Sequence, residues 1–153
     1  MGKKLVVYFS VTGKTAAVAK SLAAAAGADL YEIKPAVPYT KEDTDWSNKQ
    51  ARSNIEMHNH ASRPAIAAKD ANVAPYDTIY IGFPVWWYIA PTIINTFLES
   101  YDFAGKRVIL FATSGGSQFG RAVDNLTPSI PDTEIIEGKV NPTAEDIAAL
   151  AKM

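Results

Sequence analysis

The chain has 153 residues, 48% of them apolar and 20% charged, which fits one globular domain over 1–153 rather than a disordered, collagenous or coiled-coil chain. Lys and Arg number 15 against 16 Asp and Glu, a net charge of −1 that argues against capture of nucleic acid. There is no cysteine, so disulfides, thiolate metal sites and cysteine nucleophiles are excluded, and any redox chemistry must come from a bound cofactor.

The apolar pattern alternates between short dense runs and helical stripes. Leu5–Phe9 is a continuous apolar run, as in a parallel strand buried on both faces. It is too short for a secretory signal, and no run approaches the ~18 residues of a membrane span. A cytoplasmic protein without a membrane partner is expected. Thr15–Ala26 reads as a helix stopped by Gly27, and Leu30–Ile33 as a second, more polar strand suited to an edge. Residues 34–65 are punctuated by Pro35, Pro38 and Pro64, with a helix expected over Trp46–Met57. Thr78–Phe83 is a third strand. Pro91 then opens a helix whose stripe is Ile93, Ile94, Phe97, Leu98 and Tyr101. Val108–Ala112 is a fourth strand, Gln118–Leu126 a short helix, and Thr133–Glu137 a weak fifth strand. Thr143–Lys152 is a last helix, with Thr143 and Asp146 at capping-box spacing. Right-handed crossovers turn this alternation into a doubly wound parallel α/β sheet, whose ligands bind beyond the carboxyl ends of the strands.

Three loops at that edge carry the chemistry. After strand one, Ser10, Val11, Thr12, Gly13, Lys14 and Thr15 run into a helix N-terminus, where free amides, hydroxyls and the helix dipole favour a phosphate. Neither the glycine spacing of a triphosphate P-loop nor a dinucleotide fingerprint is present, and the plain alternative is a polar helix cap. After strand three come Pro84, Val85, Trp86, Trp87 and Tyr88, aromatic and bracketed by Pro84 and Pro91. Such a loop caps the core, meets a partner or stacks on a flat ligand. After strand four, Thr113, Ser114, Gly115, Gly116, Ser117, Gln118, Phe119 and Gly120 allow backbone to pass close beside a ligand, or form a simple turn.

With one phosphate cradle, one aromatic loop and one glycine-rich loop in this order, the chain resembles the flavodoxin family, and within it short-chain flavodoxin-like proteins with S-x-T-G-x-T, P-x-W-W and T-x-G-G-S-x-F-G loops. The helix segment Pro91–Phe103 matches as well, and the likeness fades over 36–60. The resemblance implies a five-stranded sheet in order 2-1-3-4-5 and bound FMN. Ser10, Val11, Thr12, Gly13, Lys14 and Thr15 would hold its phosphate. Pro84, Val85, Trp86 and Trp87 would flank the ring, and Thr113, Ser114, Gly115, Gly116, Phe119 and Gly120 would meet its other edge. Lys14 stands where the family usually has Asn. Tyr88 stands where the subgroup often has the glycine whose peptide flips toward reduced flavin, and the net charge is less acidic than in one-electron shuttles. Tyr88 and the near-neutral charge favour two-electron traffic.

Three functions follow. The first is an FMN protein carrying electrons to a redox partner protein or a small-molecule acceptor. The second is an FMN quinone reductase drawing on NAD(P)H. The third is a flavin-free interaction domain using Trp86 and Trp87. A receiver domain fails for lack of acidic residues after strands one and three, and a serine hydrolase for lack of G-x-S-x-G around Ser114. His58 and His60 form a metal pair in pattern only, with no acidic cluster near them, and no metal site is expected.

Overall fold

A computed structural model describes residues 3–153 apart from Trp46, His60, Trp87, Tyr88 and Ser117. The strands are β1 (Lys3–Tyr8), β2 (Asp29–Glu32), β3 (Tyr76–Pro84), β4 (Arg107–Thr113) and β5 (Glu134–Val140). They pair in parallel in the order β2-β1-β3-β4-β5, the expected flavodoxin-like sheet. The helices are α1 (Lys14–Ala26), α2 (Arg52–Met57), α3 (Thr92–Glu99), α4 (Ala122–Leu126) and α5 (Ala144–Ala151).

The dense runs are buried because both sheet faces are covered. On one face Val6, Tyr80, Ile109 and Phe111 pack against Leu22 of α1 and Leu150 of α5. The Tyr80 hydroxyl, buried in that layer, donates to the Leu150 carbonyl at 2.7 Å. On the other face Val7, Ile79, Ile81 and Leu110 meet Ile93, Ile94, Phe97 and Leu98 of α3 and Leu126 of α4. α1 leaves β1 on the first face and α3 leaves β3 on the second, so the crossovers diverge between two adjacent strands. That divergence opens the crevice at their carboxyl ends.

Several boundaries differ from expectation, and four of them have a local reason. The helix expected over Trp46–Met57 begins only at Arg52. Before it, the side chains of Asp45 and Asn48 accept from the amides of Ser47 and Gln50, in turns that compete with a helix. The helix expected from Gln118 starts at Ala122, because Gly120 takes a left-handed φ of 58°. Pro91 lies just outside α3 with ψ 142°, as its N-cap rather than its first helical residue. β5 does not stop at Glu137. It continues through a bulge at Gly138 to Val140, where a Cβ on that glycine would fall 2.3 Å from the Leu110 carbonyl oxygen. The capping box of α5 forms as expected, the Asp146 amide donating to the Thr143 hydroxyl at 3.1 Å.

Candidate functional site

The Phe9 amide donates to the Gly82 carbonyl at 3.0 Å, carrying the β1–β3 pairing one residue past the strand. The chain then turns through Ser10–Gly13 into α1. Gly13 sits at φ 94°, ψ −8°, and its amide donates to the Ser10 hydroxyl at 3.1 Å. No side chain caps α1 and no acidic residue lies in its first turn. The first-turn amides, unsatisfied within a helix, therefore carry the positive end of the dipole. Thr12, Gly13 and Lys14 are exposed and Ser10 and Val11 half-buried. Thr15 is the exception at 2% exposure, with its hydroxyl hydrogen-bonded to that of Thr113 at 2.7 Å.

The loop after β3 is shaped by backbone bonds. The Val85 amide donates to the Thr113 carbonyl at 2.9 Å. Trp86 and Ile89 exchange amide-to-carbonyl bonds of 3.0 and 3.1 Å, while Trp87 and Tyr88 lie outside the described residues. Pro84, Val85 and Trp86 are half-buried. The Trp86 indole meets the rings of Phe9 and Tyr39 edge-on, at centroid distances of 5.8 and 5.5 Å.

After β4, the Ser114 amide donates to Asn141 Oδ1 at 2.9 Å and the Asn141 Nδ2 group donates to the Ser114 carbonyl at 2.8 Å. Asn141 adopts φ 49°, a left-handed conformation that Asn tolerates better than most residues. Gly115 and Gly116 are exposed. Phe119 is buried edge-on against Phe83, with centroids 6.5 Å apart, and anchors the far end of the loop beside exposed Gly120. Ser117 lies outside the described residues.

Glycine has two different uses here. A Cβ on Gly82 would fall 2.1 Å from the Phe111 ring, so that glycine serves internal packing. A Cβ on Gly13, Gly115 or Gly116 would meet no protein atom within 4 Å. Those three leave open backbone at the strand edge, suited to close approach by a ligand. The expected site residues that are described thus come together on three loops tied to one another: Thr15 to Thr113 through their hydroxyls, Val85 to Thr113 through the backbone, Phe9 to Trp86 through their rings. An uncapped helix start, half-buried aromatic surface and open glycine backbone suit a flat ring carrying one phosphate.

The sequence did not reveal Tyr39, Arg52, Glu56 or Asn141. The first three come from the excursion between β2 and β3, whose ends are pinned by the Pro35–Ile66 bridge and the Ala36–Ala65 and Ala67–Lys34 backbone bonds. The Tyr39 hydroxyl donates to Glu56, while desolvation and that neighbouring carboxylate push the phenol far above its usual range. Arg52 pairs with Glu56 at 2.9 Å and lies 3.8 Å over the Tyr39 ring. For Asn141 the available signal was the Asn-Pro pair with Pro142, a turn marker. His58 bonds through its ring to the Asn54 carbonyl at 2.6 Å, and His60 lies outside the described residues. No group of three or more potential metal ligands gathers among the described residues. No described helix is long and apolar enough to cross a membrane.

A flavodoxin family model matches residues 3–152. The chain is similar to two solved structures of proteins assigned as flavoproteins. The one from Bacteroides uniformis is 49% identical, with 99% of each chain covered and a TM-score of 0.92. The one from Bacteroides eggerthii is 47% identical, with 99% of this chain and 97% of that one covered and a TM-score of 0.92. A flavoprotein from Lactobacillus acidophilus, solved in complex with FMN, shares the fold at 23% identity over 97% of this chain and 99% of that one, with a TM-score of 0.72. No curated protein matches the sequence. On the extent of the family match, this chain belongs to the flavodoxin family.

Proposed function

We propose that the protein binds one FMN non-covalently at the three-loop edge and carries electrons through it to a redox partner protein or a small acceptor in the cytoplasm. The observation that carries this reading is the convergence itself. The uncapped start of α1, with Gly13 at φ 94°, is tied through Thr15 and Thr113 to the loops after β3 and β4. Bound there, FMN supplies the redox chemistry.

The chain supplies binding and shape. The amides of Lys14 and Thr15 and the hydroxyls of Ser10 and Thr12 hold the phosphate, Gly13, whose amide donates to Ser10, gives it room to approach, and the Lys14 ammonium adds positive charge beside it. Thr15 contributes its amide, since its hydroxyl is engaged with Thr113. Pro84, Val85, Trp86 and Trp87 flank the ring and keep water from it. Thr113, Ser114, Gly115 and Gly116, with Phe119 and Gly120, present backbone to the polar edge. The test is titration of apoprotein with FMN, riboflavin, FAD and ATP. FMN binds tightest in this reading, and tighter binding of FAD or ATP refutes it.

A specific observation favours a second reading, an NAD(P)H-dependent quinone reductase. Trp86 and Ile89 already spend their amides and carbonyls on each other. With Tyr88 in place of a glycine, turning a peptide of this loop toward the ring costs about 1 kcal/mol or more. Two-electron exchange is then favoured over one-electron shuttling. Consumption of NADH or NADPH on addition of a quinone distinguishes the two readings.

A further inference from the structure

The Trp86 indole has two aromatic neighbours among the described residues. Phe9, at the end of β1, is part of the core. Tyr39 belongs to the excursion between β2 and β3 and packs against that core, but its polar partners on the outer side go beyond core packing. Its ring is edge-on to Phe9 at 5.5 Å as well as to Trp86. The guanidinium of Arg52 covers one ring face, and the hydroxyl is bound by Glu56. Arg52 Nη1 also donates to the Val37 carbonyl at 2.6 Å, so the arginine ties α2 back to the stretch of chain that bears Tyr39. Phenylalanine would fill the same apolar volume. The hydroxyl instead joins the ring to a half-buried ion pair whose members hydrogen-bond to Tyr39, to Val37 and to each other. Such a satisfied network restricts orientation more than it adds stability.

We infer that Tyr39 is a positioning residue for the flavin ring, acting through Trp86: the Arg52–Glu56 clamp fixes the phenol, and the phenol fixes the indole that borders the ring. The inference rests on the FMN reading above. It gives the excursion a role at the carboxyl edge of the sheet, where its backbone supplies none of the three loops. Because Tyr39 acts on the ring side, its loss affects FMN and riboflavin alike. A defect at the Ser10–Thr15 loop affects FMN more.

The test compares Tyr39→Leu and Tyr39→Phe with the unaltered protein. It measures FMN and riboflavin affinity, emission of the bound flavin, its midpoint potential, and thermal unfolding of the apoprotein. In Tyr39→Leu, affinity for both flavins falls by the same factor, about three- to tenfold for the loss of one aromatic pair. Emission rises and the potential shifts. Tyr39→Phe moves the same readouts in the same direction by less, with unfolding nearly unchanged. A folded Tyr39→Leu with unaltered affinity, emission and potential overturns the inference. If that variant does not fold, Tyr39→Phe decides: altered emission or potential supports the inference, and unaltered values overturn it. Failure of the unaltered protein to take up FMN removes the flavin reading and this inference together. Uptake indifferent to Tyr39 removes the inference alone.

Discussion

Replacing Gly13 by alanine separates a backbone cost from a ligand cost. At φ 94° an L-residue is disfavoured by about 1–2 kcal/mol. Alanine also restricts the unfolded chain, which offsets about 0.4–1 kcal/mol of that. The new Cβ meets no protein atom within 4 Å, so no packing clash adds to the balance. The net loss is about 1 kcal/mol, or about 2–4 °C in the midpoint of thermal unfolding for a chain of this length. Gly27, at the other end of α1, is the control. It has φ 62°, a Cβ there would likewise meet no atom within 4 Å, and it lies at the opposite end of the helix from the three loops. Gly27→Ala costs similar stability and leaves flavin binding alone. Gly13→Ala places a methyl where the phosphate approaches. It weakens FMN by about tenfold or more, the loss of roughly one charge-assisted hydrogen bond, and riboflavin by much less. The assay is calorimetric titration of both apoproteins with both flavins beside thermal unfolding. Equal weakening of FMN and riboflavin by Gly13→Ala, or equal effects of the two alanines on FMN, refutes the placement of the phosphate at α1.

Further outcomes are expected. Thr15→Val removes the bond to Thr113 without leaving a cavity, so the apoprotein loses about 0.5–1.5 kcal/mol in denaturant titration, and an unchanged midpoint contradicts the contact. Gly82→Ala drives a methyl into the Phe111 ring and costs about 1–3 kcal/mol or prevents folding, whereas Gly115→Ala is nearly neutral for stability; the two are compared by thermal unfolding. Arg63 holds the Glu99 carboxyl below its ordinary value of 4.5. That contribution to stability is complete above pH 4.5 and is lost as the pH falls through the lowered value. Arg63→Met flattens the pH dependence of the unfolding midpoint on that acid limb, and an unchanged limb shows that the pair does not matter. Anaerobic photoreduction of the FMN-loaded protein proceeds as a two-electron process. A strong long-wavelength band at half reduction restores the one-electron shuttle.

The strands and main helices were legible because each is specified by its own residues. Leu5–Phe9 and Val108–Ala112 are apolar on both sides, which only a sheet covered on both faces accommodates. Thr143 and Asp146 close a capping box between them, whatever surrounds them. The three loops were legible for a related reason, since each follows its strand at once and the parallel order puts all three on one edge. What the sequence could not decide depends on partners distant along the chain. Gly138 reads locally as the end of a strand, yet it is the bulge that lets β5 follow the Leu110 carbonyl. The hydroxyl of Thr15 reads as a phosphate ligand, and only the fold shows that it is also hydrogen-bonded to Thr113, 98 positions away. Arg52 and Glu56 stand at the i,i+4 spacing of a helix, but nothing local brings Tyr39 to them, because its hydrogen bond and ring contacts are made only after the excursion is pinned at Pro35 and Ile66. Local pattern determines elements and the edge at which they present their loops. Which hydroxyl faces outward, and which ring braces the indole, is decided by side chains that meet only when the sheet has formed.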